Sequence, residues 1–470
     1  MRTGATTELW RMSATELAGT IRTKHASSEE VIEAHLRRIE EVNPSINAIV
    51  ILLAEEALEA ARAADHALAG GQDVPLLHGV PFTVKENIDV AGTPTTQGLK
   101  VLAEAYPSRD APHVARLRAA GAIPIGRTNL ASFGIRWHTE SELWGATINP
   151  WDRSRTPGAS SGGDAAALAT GMTPLGVGGD VLGSLRWPAQ CCGIAALRPT
   201  LGRVPRASTI EPVDMPISAQ LMMVEGPMAR RIADLRAALE VMAGASWRDP
   251  LSVPAPLRGP DLPKPIRVAL VIDPAGQGAA PQVKDGLRKA AAALESAGYA
   301  IDELEPPSID LAAKTALDMI NADTRATSSL MPFSLPADTM KFLASLLEVA
   351  GEPNALTGTM SLMTRASLLR AWGEFQEQHP LILAPIYADI PFVPGDDLTV
   401  AAVTEQVRSM RMAIAVNALG LPAVAVPVGI GEGLPQVIEV IGPRYREDLC
   451  LEAASALEEQ LGAITPIDPR

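Results

Sequence analysis

Cysteine is scarce in this sequence of 470 residues, which contains only Cys191, Cys192 and Cys450. No Cys-x-x-Cys pair stands at the spacing of a zinc site, and three cysteines in so long a chain do not make a disulfide framework. We therefore predict a reduced, cytoplasmic environment. Neither a metal nor an organic cofactor is expected.

An excess of positive charge is also missing. Lys and Arg number 40 against 54 Asp and Glu, the formal net charge is −14, and no basic run could follow a phosphate backbone. Nucleic acid and anionic membranes are therefore poor partners. The sequence also lacks an uninterrupted apolar stretch of about 18 residues and an apolar signal segment near its start, so we expect a soluble intracellular protein.

The sequence does contain 47% hydrophobic residues, enough to bury a large core without a metal or a disulfide. Strand and helix patterns alternate along it, which is typical of α/β layering. We predict one large α/β domain over residues 1–470, with a mixed twisted central β-sheet flanked by α-helices. Its expected parts are an N-terminal helical layer (1–75), an α/β core (76–253), two stretches that complete the sheet (266–306 and 381–470) and a helical excursion (307–380).

Two capping boxes mark the N-terminal layer, because Ser13 and Ser27 are each followed three residues later by glutamate. Each pattern predicts the start of an amphipathic helix. Asn43-Pro44 is expected to stop the second helix. We interpret this layer as scaffold.

The helical excursion at 307–380 has few strand signals and several methionines. It could cap a pocket, or it could be a packing layer without ligand contact, since methionine stripes are usually core. The pattern leaves both open. The methionines are Met319, Met331, Met340, Met360 and Met363.

Hydroxyl groups are concentrated between residues 155 and 200, on two glycine-rich turns. Ser160 and Ser161 lie on the first turn and Ser184 on the second, 24 positions after Ser160. The small-residue segment 164–172 between them has the pattern of a helix. A turn, a helix and a second turn would bring both hydroxyl clusters to one end of the same layer, which indicates an active site.

A serine hydroxyl needs a base before it becomes a good nucleophile. Histidine is the usual base, but His78, His113 and His138 all lie outside the serine region, and no G-x-S-x-G elbow is present. The other candidate is Lys85, a cation late in an apolar strand. Burial would lower the pKa of its ammonium, so that a neutral amine could serve as base. These residues by themselves leave both bases open.

Three segments, GVPFTVKENIDVAGTPTT, RTPGASSGG and GGDVLGSLRWPAQCCGIAALRPTLGRV, closely resemble the amidase signature family of serine hydrolases. The likeness extends to SATELAGTIR near the start and to GLPAVAVPVG and VIGPRYRED near the end, so it covers most of the chain. It places the family's signature core in residues 76–253.

The resemblance implies a Ser-cisSer-Lys triad in which Ser184 is the nucleophile, Ser160 relays the proton and Lys85 is the base. It also implies a cis peptide at Ala159-Ser160 and a supporting role for Ser161, which would orient either Lys85 or the loop. The oxyanion hole implied by the family consists of four backbone N–H groups, those of Val181, Leu182, Gly183 and Ser184.

The chain departs from the usual family patterns GGSSGGS and DTGGSIR, because it has GASSGGD and DVLGSLR. Ala159 and Leu182 thus replace glycines, and Val181 replaces a threonine. Leu182 is expected either to point into the acyl pocket or to constrain the backbone torsions of its loop.

Charged and aromatic residues flank the two turns. We expect Asp180 and Arg186 to form an ion pair that holds the nucleophile loop rather than to take part in catalysis. An apolar acyl pocket is predicted beside them, although four of its bulky residues could equally be core. The predicted pocket residues are Phe133, Ile135, Trp137, Trp144 and Leu182.

The expected function is hydrolysis of a carbon–nitrogen bond in a small-molecule amide or carbamate, with ester cleavage as a side activity. An aryl carbamate would suit the apolar pocket, which would make the enzyme a urethanase. Two alternatives stay open: the amidase subunit of a glutamine-dependent tRNA amidotransferase, and a binding homologue weakened in catalysis by Leu182. Family members are often homodimers, and the resemblance extends this expectation to the present chain.

Overall fold

The computed structural model describes residues 8–327, 334–354 and 356–470. Eleven strands form one mixed central sheet, and a two-stranded hairpin lies outside it. The strands are β1 Ile49–Leu52, β2 Pro81–Lys85, β3 Ile123–Thr128, β4 Glu140–Ser141, β5 Gly145–Ala146, β6 Leu175–Asp180, β7 Ala195–Arg198, β8 Val224–Ala229, β9 Arg267–Leu270, β10 Ala300–Glu303, β11 Leu381–Ala384, β12 Ala423–Gly431 and β13 Leu434–Ile441.

Helices cover both faces of this sheet. They are α1 Ala14–Arg22, α2 Ser28–Ile46, α3 Ala54–Ala69, α4 Pro112–Ala119, α5 Gly162–Ala169, α6 Arg186–Cys192, α7 Ile217–Met222, α8 Ile232–Met242, α9 Pro281–Ser296, α10 Ile309–Thr327, α11 Ala337–Ala350, α12 Thr357–Gln378, α13 Val400–Leu419 and α14 Glu447–Leu461. The predicted α/β architecture with a mixed sheet is confirmed.

The strand order is β1-β3-β2-β6-β8-β7-β12-β13-β11-β9-β10. β2 pairs in parallel with both β3 and β6, whereas β8, β7, β12 and β13 pair antiparallel with their neighbours. Parallel neighbours end at the same edge of a sheet. Lys85, which ends β2, and Asp180, which ends β6, are therefore brought to one edge.

The two faces of the sheet differ in character near this edge, because one is apolar and the other carries polar side chains beside glycines. Phe82 and Val84 of β2 belong to a large apolar cluster on one face. Because side chains alternate along a strand, Thr83 and Lys85 lie on the other face. β6 places only glycines, Gly176 and Gly178, next to them, which leaves room for α5 to approach the sheet.

Both predicted capping boxes are present at the starts of α1 and α2. The predicted stop at Asn43-Pro44 is wrong, because α2 continues through Pro44 and the chain leaves it at Asn47, which has φ 56°. Asn43 ends the helix by another means: its Oδ1 accepts the N–H groups of Ala48 and Ile49, both at 2.9 Å. These side-chain bonds replace the stop that the proline suggested.

The predicted helical excursion contains α10, α11 and α12, and α10 and α11 pack on α13. Met319 is buried, whereas Met340, Met360 and Met363 are exposed. Met331 lies outside the described residues. The methionines thus do not form one buried stripe. In the part of the chain that the structure describes, every helix is too short or too polar to span a bilayer.

Candidate active site

Lys85 is the last residue of β2, and 1% of its surface is exposed. Its Nζ donates a hydrogen bond to Ser160 Oγ at 2.7 Å. Burial lowers the pKa of Lys85 to about 8, against the opposing effect of the carboxylates of Asp164, Glu225 and Asp180. A lysine held in this way reaches its neutral amine form close to neutral pH, and the neutral amine can accept a proton.

The turn that carries Ser160 comes directly before α5. Its peptide bond Ala159-Ser160 is cis, as the family resemblance implies. Gly158 has φ 78°, and a Cβ at this position would lie 2.6 Å from the Cα of Pro188, so glycine is required there. Ala159 is fully buried and does not have a positive φ, so its methyl group fits where the family usually has glycine.

Ser184 lies in the loop between β6 and α6, and its carbonyl accepts the N–H of Ser161 at 3.3 Å. This bond joins the two serine turns. The hydroxyl of Ser161 has no hydrogen-bond partner among the described residues, so it neither orients Lys85 through a hydrogen bond nor caps α5. The support that Ser161 gives to the loop comes from its backbone.

The predicted oxyanion hole needs one correction. The N–H of Gly183 donates to Asp180 Oδ1 at 2.8 Å and to Asn417 Oδ1 at 3.1 Å, so it is not available for a substrate oxygen. The N–H groups of Val181, Leu182 and Ser184 form no hydrogen bond with any described residue. These three N–H groups are therefore without a partner in the described part of the chain.

Asp180 and Arg186 form the expected ion pair, with Arg186 Nε 3.0 Å from Asp180 Oδ2 and both side chains fully buried. Arg186 Nη1 also lies 2.8 Å from Glu439 Oε2, and Asn417 Nδ2 donates to Asp180 Oδ1 at 2.7 Å. Burial by itself would raise the pKa of Asp180, but the attraction of Arg186 and Arg198 holds it well below its usual range. Asp180 is thus a fixed anion that fastens the nucleophile loop.

Sequence reasoning missed Asn417 and Glu439. Asn417 lies on α13, 237 positions after its partner Asp180. Glu439 lies on β13, 253 positions after its partner Arg186. No local spacing connects them to the serine region. Only their polarity within otherwise apolar segments, NALG and VIEV, could have drawn attention to them.

Trp137 and Leu182 come together beside the nucleophile loop. Trp137 Nε1 donates to the carbonyl of Leu182 at 3.3 Å, and both side chains belong to one apolar cluster, against which Ile135 also packs. The Phe342 ring of α11 meets Trp137 edge-on, with centroids 5.3 Å apart. Leu182 has no positive φ, so a leucine at this position does not strain the backbone, whereas Gly183 has φ 91°.

The other two predicted pocket residues lie differently. Phe133 is half-buried and precedes Gly134, where an added Cβ would lie 3.5 Å from Ser160 Oγ. Trp144 does not belong to the apolar cluster, because its Nε1 donates to Glu86 Oε2 at 2.8 Å. Burial raises the pKa of Glu86 to about 7. Trp144 thus makes a polar contact with Glu86, and its place in an apolar pocket stays a prediction.

The three histidines do not reach the serines. His138 Nδ1 lies 3.0 Å from Thr156 Oγ1, and the ring nitrogens of His78 and His113 bond the backbone carbonyls of Ala64 and Pro205. The lysine is thus the base candidate that the geometry places at a serine hydroxyl. Among the described residues, no three His, Cys, Asp or Glu side chains are grouped so that they could hold a metal ion.

Comparison with known proteins identifies relatives of this chain. The Amidase family model matches residues 30–451. An indoleacetamide hydrolase of Bradyrhizobium diazoefficiens is 41% identical over 97% of this chain and 88% of its own length. One subunit of the glutamyl-tRNA(Gln) amidotransferase of Salinispora tropica is 32% identical, with 98% and 99% covered.

Among solved structures, the substrate complex of a 6-aminohexanoate cyclic dimer hydrolase superposes with a TM-score of 0.82 at 26% identity, with 96% of this chain and 97% of the other covered. The fold, the family model and the relatives agree. This chain belongs to the amidase signature family. It is an enzyme that hydrolyses amide bonds.

Proposed function

We propose that this enzyme hydrolyses small primary amides of the arylacetamide type, in which one CH2 group separates an aromatic ring from the acyl carbon, through an acyl-enzyme on Ser184. The observation that carries the mechanism is the 2.7 Å hydrogen bond between Lys85 Nζ and Ser160 Oγ inside the protein. It supplies a base for a serine site that His78, His113 and His138 do not reach.

The proposed reaction starts with a neutral Lys85. Ser184 Oγ attacks the amide carbon while its proton passes to Ser160 Oγ, whose own proton passes to Lys85 Nζ. The oxyanion lies against the N–H groups of Val181, Leu182 and Ser184. The same relay returns a proton to the departing nitrogen, ammonia leaves, and water then attacks the acyl-enzyme to release the acid.

The aromatic preference is inferred from the residues beside the nucleophile loop. Trp137, Phe342 and Leu182 form an apolar wall there, and aromatic side chains favour flat aromatic ligands by offset or edge-on contact. The indoleacetamide hydrolase relative acts on an amide of this shape by its name. Aryl carbamates and aryl esters present an acyl carbon to the same relay, so we propose them as side substrates.

The purified chain is expected to release ammonia from indole-3-acetamide and phenylacetamide at least about tenfold faster, by kcat/KM, than from acetamide or propionamide, because burial of the aromatic ring contributes about 1.4 kcal/mol or more. Ammonia release and product acid are both measured. Equal rates for all amides would refute the aromatic preference. A labelled adduct of a fluorophosphonate probe, mapped by mass spectrometry to a residue other than Ser184, would refute the mechanism.

Phe342→Ala is expected to raise KM for an arylacetamide by about tenfold, because the variant loses the edge-on contact between the Phe342 ring and Trp137. The value of kcat/KM for acetamide is expected to change less than about twofold, because Phe342 does not contact the reacting atoms. Phe375→Ala is the control, since Phe375 lies in the same helical excursion and stacks on His379 instead. A uniform loss for every amide would show that Phe342 supports the fold and not the aromatic preference.

A second candidate is the amidase component of a tRNA-dependent amidotransferase, supported by the 32% identity over nearly the full length of the Salinispora protein. It predicts hydrolysis of glutamine that depends on a charged tRNA and on a second protein. Turnover of arylacetamides by the isolated chain, with no glutaminase activity, counts against it.

A further inference from the structure

A group of buried polar side chains lies behind the Lys85–Ser160 pair, between the sheet and α5. Thr83 is on the same face of β2 as Lys85, and Thr128 is the register partner of Lys85 on β3. Gly176 of β6 is the register partner of Thr83. These positions form one patch of sheet surface that α5 covers.

Asp164 points at this patch from the first turn of α5, four residues after Ser160. It is fully buried, and no hydrogen bond of ordinary geometry reaches either carboxylate oxygen, although the Thr128 hydroxyl lies near enough to lower the pKa of Asp164. A Cβ on Gly176 would lie 3.3 Å from Asp164 Oδ1 and 3.4 Å from Thr83 Oγ1. The Asp164 carboxylate and the Thr83 hydroxyl therefore both lie next to Gly176 of β6.

The hydroxyl groups around Asp164 are buried as well. Thr83, Thr128 and Ser161 are fully buried. The Oγ atoms of Thr83 and Ser161 have no partner among the described residues, and the Thr128 hydroxyl acts on Asp164 by lowering the pKa of its carboxyl. Buried polar atoms are nearly always hydrogen-bonded, and each one left without a partner costs about 1–3 kcal/mol. Buried polar atoms of this kind beside one lysine call for an explanation, and the charge of Lys85 supplies one.

Three carboxylates act on Lys85: Asp164 from α5, Glu225 from β8 and Asp180 from β6. Glu225 lies 3.3 Å from Arg206, and Asp180 lies 3.0 Å from Arg186. Asp164 has no arginine within ion-pair distance in the described part of the chain, although Arg127 acts on it from further away. Asp164 therefore has the largest effect of the three on the charge of Lys85.

We propose that Asp164 is a positioning residue that sets the protonation state of Lys85 and stabilises the ammonium that Lys85 becomes during acylation. This inference rests on the proposed lysine-based hydrolysis. In the step concerned, the proton on Ser160 Oγ moves to Lys85 Nζ and turns the amine into an ammonium. The Asp164 carboxylate takes no proton in that step and acts by its charge.

The sign of the effect follows from two opposing influences. Burial lowers the pKa of Lys85, and it raises the pKa of Asp164 well above its usual range, while each group favours the charged form of the other. Removing the carboxylate removes only the attraction, so Lys85 loses its proton at a lower pH. The lysine then becomes a weaker base, and its ammonium is less stable once formed.

The test is an NMR titration of protein that carries ¹³C-labelled lysine, in which the Lys85 signal is assigned by its absence from Lys85→Ala. In Asp164→Asn the titration midpoint of Lys85 is expected to move to lower pH by about one unit. Asp234→Asn is the control, because the Asp234 carboxylate is buried but bonds the N–H groups of Ala14 and Thr15 at the start of α1. It is expected to leave the midpoint in place.

The kinetic readout is the pH profile of kcat/KM for an arylacetamide. In Asp164→Asn the acidic limb of this profile is expected to shift to lower pH together with the titration midpoint of Lys85. The plateau value of kcat/KM is expected to fall. A midpoint that stays in place or rises would overturn the proposal, as would an equal loss of activity at every pH with an unshifted limb. The midpoint is measured without substrate, so a wild-type protein that cleaves no amide would refute the proposed function separately.

Two further variants keep the test decisive if Asp164→Asn does not fold. Asp164→Ser places at this position the residue that the usual family pattern carries, and it is expected to shift the midpoint in the same direction. Thr128→Val keeps the carboxyl group but removes a hydroxyl that lowers the pKa of Asp164, so a smaller shift of the same sign is expected. An unchanged midpoint in both variants would overturn the proposal.

Discussion

Ser184→Ala is expected to lower kcat for arylacetamide hydrolysis by at least about 10⁴-fold, because no other atom can form the acyl-enzyme. Lys85→Ala is expected to cost a similar factor, since the 2.7 Å contact with Ser160 makes Lys85 the base of the relay. Residues that act as a unit are not additive, so the double variant should be no slower than the slower single one. Steady-state ammonia release measures all three.

Ser161→Ala is the matched control for these variants. Ser161 is the neighbour of Ser160, but its hydroxyl has no partner among the described residues. Activity within about tenfold of the wild type is expected, because a hydroxyl outside the relay contributes only indirectly. If Lys85→Ala kept wild-type activity, the lysine relay would be wrong. If Ser161→Ala were as slow as Ser184→Ala, the assignment of the serines would be wrong.

Arg186→Met is expected to lower the free energy of unfolding by about 3–5 kcal/mol, because it leaves the buried carboxylates of Asp180 and Glu439 without their shared cation. Activity should fall as well. Asp180 holds the N–H groups of Gly183 and Leu185, and these bonds shape the loop on either side of Ser184. Urea unfolding followed by far-UV circular dichroism measures the stability, and ammonia release measures the activity.

Arg267→Met is the control for this loss. Arg267 pairs with Asp302 at 2.9 Å, but both side chains are partly exposed, at 50% and 34%. Exposed pairs contribute about 0–1 kcal/mol, so the variant should be nearly as stable as the wild type. If Arg186→Met and Arg267→Met lost equal amounts of unfolding free energy, the buried position of the Arg186 network would not be the reason for the loss.

The candidate site could be predicted from the sequence to the extent that it depends on short motifs. Glycine-rich turns around Ser160 and Ser184 can be identified within a few residues, because the backbone conformations they need are local. The same holds for the capping boxes at Ser13 and Ser27, where one side chain bonds a backbone group three residues away. The chemical roles of Lys85, Ser160 and Ser184 stay predictions that the variants above test.

Some expectations failed because the partner of a residue lay outside the motif that suggested them. The Asn43-Pro44 pattern predicted a helix stop, yet Asn43 ends α2 through bonds to Ala48 and Ile49. The family resemblance implied Gly183 as an oxyanion donor, yet its N–H is bonded to Asp180 and Asn417. The indole of Trp144 bonds Glu86, a contact that the residue type alone does not reveal.

The sequence by itself determined the fold class and the two turns that carry the serines, because hydrophobic period and turn chemistry act over short stretches of chain, and the resemblance of its motifs indicated the family. Only the tertiary structure brought Phe342 to Trp137, Glu439 and Asn417 to the nucleophile loop, and Asp164 to the patch of sheet behind Lys85. The physical reason is that these contacts join distant parts of the chain, or a helix to a sheet face, and their energies depend on burial that no sequence spacing records.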